Sequence, residues 1–236
     1  MANYPGPSLA ALIADRDHLL LDFDGPVCRL FAALPAPGIA ASLLDILPLA
    51  LADQVRSTDP HQVLREVHIR APELTDPVES SLSEYEVLAA VSAAPTPSAL
   101  HLMLAARRCG WTVSIVTNNS ATAVEAYLAR HRAERHVDAI AGRRSEAIDE
   151  LKPHPALVLE ALDATGGHPS RAILVGNSPS DIEAAHRAGA AAVGFVDRPP
   201  KWRSLSSADA LVTTIKAIVA TIEGCTVQPR PSSDPS

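Results

Sequence analysis

Two aspartates stand directly after a short apolar run near the start of the chain. The run ends at Leu21 and is followed by Asp22, Phe23 and Asp24. If the run is a buried strand of an open α/β sheet, its carboxyl end faces the ligand crevice. Two neighbouring carboxylates repel each other unless a cation lies between them, and carboxylate oxygens favour a hard divalent ion. The spacing therefore indicates a magnesium site at Asp22 and Asp24, although an aspartate that caps a turn beside a solvated one gives the same pattern.

A hydroxyl and an amide end a second apolar run. Thr117 and Asn118 follow this run, and Ser120 precedes a predicted helix. Backbone N–H groups at the N-terminus of a helix bind anions, and the two side chains add further hydrogen-bonding groups. The segment therefore predicts a phosphate site, although Asn-Asn-Ser is also ordinary turn chemistry.

Two further segments carry polar groups suited to the same site. Lys152, one of three lysines in the chain, lies in a loop before a helix, where it can neutralise a carboxylate and a phosphoryl oxygen. Asn177 follows another apolar run and is expected at the tip of a strand. Asp181 lies in the first turn of the next helix, where it can stabilise the helix dipole or hold the lysine. Each residue alone also has an ordinary structural explanation, and it is their joint occurrence that indicates a common site.

A parallel sheet is needed to bring these residues together. Short apolar runs alternate with helical patterns, which is typical of a doubly wound α/β fold. The predicted strands are residues 18–23, 112–117, 136–141, 171–176, 191–196 and 210–212. Predicted helices cover 120–134, 155–165 and 213–223. An oxygen-bearing residue followed by proline predicts further helix starts at Asp59-Pro60, Asp76-Pro77, Thr96-Pro97 and Ser178-Pro179.

The segment between the first two predicted strands is far too long for a single crossover helix. Residues 39–93 within it are predicted to be helical, and proline-rich stretches at 33–38 and 94–97 flank them. We interpret 39–93 as an inserted helical cap on a core formed by 9–32 and 97–224. Residues 225–236, rich in Pro and Ser, are predicted to be a disordered tail. Five basic residues of the insert could face the crevice and select the substrate, but such residues usually form a solvated helix face, which is the interpretation we favour: Arg56, His61, Arg65, His68 and Arg70.

Composition excludes several classes of partner and location. The net charge is −7, with no run of five like charges, so neither a nucleic acid nor a membrane surface is an expected partner. Cys28, Cys109 and Cys225 have no metal-binding or disulfide spacing, which favours a reducing compartment such as the cytoplasm. The chain has no recognisable signal peptide and no apolar stretch long enough for a membrane span.

The four motifs, in this order, resemble those of the haloacid dehalogenase superfamily of phosphohydrolases over about residues 18–223. Asp22 and Asp24 match the DxD motif, Thr117 the second motif, Lys152 the third and residues 176–181 the fourth. The helical insert is similar to the C1 cap of this superfamily, particularly in its phosphoglycolate-phosphatase-like branch. The resemblance implies a Rossmann-like core and a phosphoric monoester hydrolase that acts on a small phosphorylated metabolite.

The resemblance also implies roles for individual residues. Asp22 would attack phosphorus to give an aspartyl phosphate, and Asp24 would protonate the leaving group and later activate water. Thr117, the amide of Asn118 and Lys152 would hold phosphoryl oxygens.

The implied magnesium ligands are the Asp22 carboxylate, the Asp24 backbone carbonyl and the side chain of Asn177, with Asp181 orienting the lysine. The superfamily usually has aspartate where this chain has Asn177. An amide ligates through its oxygen but contributes no charge, so lower metal affinity is expected.

Two alternatives stay open at this point. A phosphomutase on the same scaffold would retain the DxD pair and differ in excluding water. A catalytically quiet metabolite-binding protein would treat Asn177 as the first step of site decay. Dehalogenation is disfavoured, because dehalogenases of this fold lack the second aspartate that Asp24 supplies.

Overall fold

The computed structural model describes residues 8–225. Its sheet has six parallel strands in the order β3-β2-β1-β4-β5-β6. The strands are β1 (His18–Leu21), β2 (Thr112–Ser120), β3 (Ala139–Arg143), β4 (Ala172–Gly176), β5 (Ala191–Phe195) and β6 (Ala210–Val212). All six predicted strands are present, and the doubly wound α/β fold is confirmed.

Helices pack on both faces of this sheet, so that apolar clusters bury both faces. They are α1 (Leu9–Ile13), α2 (Ala36–Asp45), α3 (Leu49–Ala52), α4 (Pro60–Arg70), α5 (Thr75–Ser92), α6 (Ala99–Arg108), α7 (Ala121–His131), α8 (Ala156–Thr165), α9 (Pro179–Ala188), α10 (Lys201–Ser204) and α11 (Ile215–Cys225). The chain moves from β1 outward to β2 and β3, then crosses to β4 on the other side of β1. This reversal is the place where doubly wound sheets open a crevice at the carboxyl ends of their strands.

The insertion between β1 and β2 begins with helices α2 to α5. Helix α2 starts at Ala36, inside the first proline-rich stretch, because Pro35 precedes it and Pro37 lies in its first turn, where no N–H donor is needed. Helix α5 reaches two apolar clusters: Val78 and Leu82 belong to one with residues of α2 and α4, whereas Ala89 belongs to the other with residues of α7. The division into core and cap stays a prediction, but α5 already ties the insertion to the core.

Two of the four predicted helix starts are confirmed, at Asp59-Pro60 and Ser178-Pro179. The start predicted at Asp76-Pro77 is wrong, since α5 begins at Thr75, directly after a short 3₁₀ turn. The start at Thr96-Pro97 is also wrong. The Thr96 hydroxyl donates to the Gly25 carbonyl at 2.5 Å instead of capping a helix, and α6 begins at Ala99.

Two further expectations concern the C-terminal tail and membrane-spanning helices. Helix α11 extends through Cys225, and the remainder of the predicted disordered tail lies outside the described residues. None of the helices within residues 8–225 is both long and apolar enough to cross a membrane.

Candidate active site

A cavity of about 460 Å³ lies at the carboxyl ends of the central strands. It brings together every residue that the sequence motifs single out: Asp22, Asp24, Thr117, Asn118, Lys152, Asn177 and Asp181. The cavity is also lined by residues of α4 and the turn before it: Asp59, His61, Gln62 and Arg65. The site therefore lies between the sheet and the insertion.

Lys152 is the electrostatic centre of this site. Its buried ammonium group donates to Asp22 Oδ1 at 2.8 Å, to Asp181 Oδ1 at 2.6 Å and to the Val116 carbonyl at 2.9 Å. Burial opposes the charge, but Asp181 and Asp22 outweigh it and raise the pKa of Lys152. The lysine is therefore a fixed cation between two carboxylates.

Asp22 follows the last residue of β1, and its backbone N–H donates to the Val175 carbonyl of β4. Burial, with the charge of Asp181 beside it, raises the pKa of Asp22 to about 7 even though Lys152 lowers it. One ammonium shared between two carboxylates does not hold both fully ionised at neutral pH. Further positive charge at this place would keep Asp22 in its anionic form.

Asp24 lies two residues further, in the turn that leaves the sheet. Its Oδ1 accepts a hydrogen bond from the Leu30 backbone N–H at 2.9 Å, which fixes the carboxyl group at the cavity wall. Burial raises the pKa of Asp24, whereas the hydrogen bond from the Leu30 N–H and the charge of His61 in the insertion oppose that rise. A carboxyl group with a raised pKa is suited to proton transfer.

The Asn118 side chain binds the backbone of Lys152. Its Oδ1 accepts from the Lys152 N–H at 2.8 Å, and its Nδ2 donates to the Lys152 carbonyl at 3.1 Å. This pair of bonds locks the lysine loop to the end of β2. Any contact between Asn118 and a bound anion is therefore expected from its backbone N–H.

Asn177 and Asp181 occupy the turn from β4 into α9. Asp181 Oδ2 accepts from the backbone N–H groups of Asn177 and Ser178, while its Oδ1 holds Lys152. The Asn177 side chain lies against Gly25, which has a φ of +119° and where a Cβ atom would come within 1.9 Å of Asn177 Nδ2. Gly25 thus allows the amide to lie beside the backbone that follows Asp24.

These residues fit a hard divalent cation in the chemistry of their donor atoms. Asp22 offers a carboxylate oxygen, the Asp24 peptide a carbonyl, and Asn177 an amide oxygen, since Asn177 Nδ2 faces Asp197 Oδ2 at 3.4 Å. All are the oxygen ligands that magnesium prefers. Among residues 8–225 no three His, Cys, Asp or Glu side chains are grouped as metal ligands, so such a site would depend on the amide and the backbone carbonyl.

The expected solvated face of the insertion is wrong for two residues. Arg65 Nη2 donates to the Lys152 carbonyl at 2.8 Å, and His61 Nε2 lies 3.0 Å from Glu86 Oε1. Both residues line the cavity because α4 packs over the site. Helix periodicity alone does not predict which element α4 packs against. Arg70, in contrast, pairs with Glu66 on the surface.

A buried ion pair joins Glu86 of α5 to Arg143 of β3, and neither residue was predicted as part of the site. Arg143 Nη2 lies 2.9 Å from Glu86 Oε2, and both side chains are fully buried. One signal was present: Glu86 lies on the buried stripe of α5 with Val78, Leu82 and Ala89, where an unpaired charge would be costly.

A family model matches a large part of the chain. Residues 54–195 match the family model for haloacid dehalogenase-like hydrolases, which is more than half of the chain. The chain belongs to this family. The matched region includes Thr117, Lys152 and Asn177 but begins after Asp22 and Asp24.

Among individual relatives, the phosphoglycolate phosphatase of Haemophilus influenzae (strain 86-028NP) is 34% identical over 86 residues, 36% of this chain and 38% of the relative. That of Mesorhizobium japonicum is 33% identical over 112 residues, 44% of this chain and 47% of the relative. The chain therefore spans less than half the length of these curated relatives.

Solved structures extend the likeness of fold to almost the whole chain. A β-phosphoglucomutase from Clostridium difficile superposes with a TM-score of 0.65 at 14% identity, covering 90% of this chain and 100% of its own. A haloacid dehalogenase superfamily hydrolase from Ehrlichia chaffeensis gives 0.58 at 19% identity, covering 89% and 98%. At these identities the likeness concerns the fold alone.

Proposed function

We propose that the protein is a magnesium-dependent phosphatase that hydrolyses a small phosphorylated metabolite through an aspartyl-phosphate intermediate. The observation that carries this proposal is the buried Asp22 carboxylate, which lines the cavity with Lys152 Nζ at 2.8 Å and Asp24 nearby. A nucleophile, an acid and a fixed cation are thereby within one site. The phosphoglycolate phosphatases among the relatives support a small phosphate ester as substrate.

In the first step Asp22 attacks phosphorus and the ester oxygen leaves. Asp24 gives this oxygen a proton, which its raised pKa favours. Lys152 stabilises the negative charge on the phosphoryl oxygens. The Thr117 hydroxyl, whose proton points to Asn119 Oδ1 before the ester binds, adds a donor when it turns to a phosphoryl oxygen.

In the second step Asp24, now ionised, removes a proton from water as the water attacks the phosphorus of the aspartyl phosphate. Asp22 leaves as a carboxylate, and phosphate is released. Asp22, the Asp24 carbonyl and Asn177 would hold magnesium, which would supply positive charge beside Asp22 and the phosphoryl group.

The experiment that tests this function is a screen of phosphorylated metabolites with and without magnesium. Phosphoglycolate, sugar phosphates and nucleotides would be compared by release of inorganic phosphate, with a chelator as control. We expect magnesium-dependent release from at least one small ester. Turnover into an isomeric phosphate ester without phosphate release would indicate a phosphomutase, and neither product a catalytically quiet protein.

Replacing the Asp24 side chain should separate substrates by their leaving groups. Asp24→Asn keeps the backbone carbonyl but removes the acid, so we expect the rate of the first step to fall about 10²- to 10⁴-fold for an alkyl phosphate. This fall in rate should be much smaller for para-nitrophenyl phosphate, because its phenolate leaves without protonation. Burst kinetics with both substrates would check this, and equal losses in the burst phase would remove Asp24 from the acid role.

Placing a carboxylate at position 177 should increase the affinity of the site for magnesium. Because ligand charge sets affinity for hard cations, Asn177→Asp is expected to lower the magnesium concentration for half-maximal activity by about threefold or more. Asn177→Ala, which has no ligand oxygen, should raise it. Magnesium titrations of phosphate release measure both, and an unchanged titration in the two variants would show that residue 177 belongs to the turn and not to the metal site.

A further inference from the structure

Glu86 is a buried carboxylate that the proposed chemistry does not use. It lies in α5, and its side chain is 0% exposed. Oε1 receives contacts from Asn119 Nδ2 at 2.8 Å, Arg143 Nη1 at 2.9 Å and His61 Nε2 at 3.0 Å. Oε2 accepts from the Ser120 backbone N–H at 2.8 Å and from Arg143 Nη2 at 2.9 Å. Such a saturated carboxylate fixes each group that it touches.

Arg143 makes this carboxylate a permanent anion. Burial would raise the pKa of Glu86, but the charge of Arg143 and the contact with His61 outweigh burial and hold that pKa far below its usual range. Arg143 itself also donates to Glu79 Oε1 at 3.1 Å and to the Asn118 carbonyl at 2.8 Å. Both members of the ion pair therefore contact the end of β2: Glu86 through Asn119 and Ser120, and Arg143 through the Asn118 carbonyl.

The segment that Glu86 holds is the end of β2, residues 117–120, where the sequence predicts the phosphate site; we call it the phosphate loop. The Asn119 amide is fixed at both ends, because its Nδ2 donates to Glu86 while its Oδ1 accepts from the Thr117 hydroxyl at 3.0 Å. The Asn119 backbone N–H in turn donates to Thr117 Oγ1 at 3.1 Å. A continuous chain of hydrogen bonds therefore connects Glu86 to Thr117, one of the residues that line the cavity.

We propose that Glu86 is a positioning residue for phosphoryl transfer, which fixes Thr117 through Asn119 and fixes the backbone at Ser120. This inference rests on the proposed function, since it assigns Glu86 to that same reaction. Glu86 touches none of the reacting groups. It acts by holding the loop in one geometry, and a shift of about 1 Å in such a group can cost about 10²-fold in rate.

The test compares two matched substitutions on α5. Glu86→Gln keeps the size of the side chain but removes the charge and places an N–H₂ group against existing donors. Glu79→Gln makes the same chemical change beside the same arginine, yet within residues 8–225 the side-chain hydrogen bonds of Glu79 go to Arg143 and Ser83 and none to the loop. We expect kcat to fall about 10- to 100-fold in Glu86→Gln and less than about threefold in Glu79→Gln. KM should change less than kcat in both.

Asn119→Ser provides a second route to the same answer if Glu86→Gln does not fold. It removes the amide from the loop and leaves the Glu86–Arg143 pair intact, and we expect kcat to fall about tenfold. Hydrogen exchange gives a readout that needs no turnover: the Ser120 N–H should exchange faster in Glu86→Gln but not in Glu79→Gln.

The outcomes separate the two proposals. If the wild type releases phosphate and Glu86→Gln and Glu79→Gln behave alike, or if Asn119→Ser retains full kcat, the positioning role is wrong and the function stands. If the wild type releases no phosphate from any ester, the proposed function fails, and the positioning role with it. Faster Ser120 exchange would then show only that Glu86 holds the backbone.

Discussion

Asp22→Asn is expected to abolish turnover while the protein stays folded. An amide has the shape of a carboxylate but is a poor nucleophile, so we expect less than about a thousandth of the wild-type rate. Stability should not fall, because the raised pKa of Asp22 means that burial opposes its charge in the folded state. Lys152 retains Asp181 and the Val116 carbonyl as partners. Phosphate release and thermal unfolding measure both effects.

Asp59→Asn is the matched control for this substitution. Asp59 lines the same cavity, but its side chain is 64% exposed and caps α4, a task that asparagine performs equally well. We expect Asp59→Asn to retain activity within a few-fold. Asp22→Asn with more than about a thousandth of the wild-type rate, measured on protein free of wild-type enzyme, would rule out covalent catalysis by Asp22.

Lys152→Met should cost both activity and stability. The substitution keeps a long apolar stem but leaves the buried carboxylates of Asp22 and Asp181 without their shared cation. Removing one partner of a buried ion pair typically lowers the free energy of unfolding by about 3–5 kcal/mol. Loss of one cation at the phosphoryl group should lower kcat by about 10²-fold or more. Denaturant titration and phosphate release test the two effects separately.

The stability loss in Lys152→Met should depend on pH. Without the lysine the pKa of Asp22 rises further, so the folded state favours its protonated form. The wild type, in which the pKa of Asp22 is about 7, shares this preference below neutral pH, so the part of the stability loss that comes from Asp22 should be small at pH ~5 and grow as the pH rises through 7. Lys216→Met, at an exposed position on α11, should change stability by less than about 0.5 kcal/mol. A pH-independent loss would mean that packing, not the unpaired carboxylates, is responsible.

Local patterns sufficed to place the residues of the candidate site at one edge of the sheet. Asp22, Thr117 and Asn177 each lie where an apolar run ends, and parallel strands bring such ends together whatever the details of packing. The helix start at Ser178-Pro179 was equally local, because its cap is formed within a few residues. Thr96-Pro97 failed because a distant acceptor, the Gly25 carbonyl, takes the threonine hydroxyl.

The contribution of the insertion was not predictable in the same way. Glu86 and Arg143 are far apart in the sequence, and their contact depends on how α5 crosses the end of β3. His61 and Arg65 were predicted to lie on a solvated face because helix periodicity does not show which element covers the helix. A charged residue on the buried stripe of α5 indicates that some partner exists, but only the tertiary structure identifies it.

The central claim is that Asp22 becomes phosphorylated during turnover. The most direct measurement is acid quenching of the wild-type enzyme during steady-state hydrolysis of its ester with magnesium, followed by proteolysis and mass spectrometry. We expect one phosphoryl group on the peptide that contains Asp22, labile at alkaline pH and absent from Asp22→Asn. Steady turnover with no such adduct under rapid quenching, or an adduct on another residue, would contradict the account.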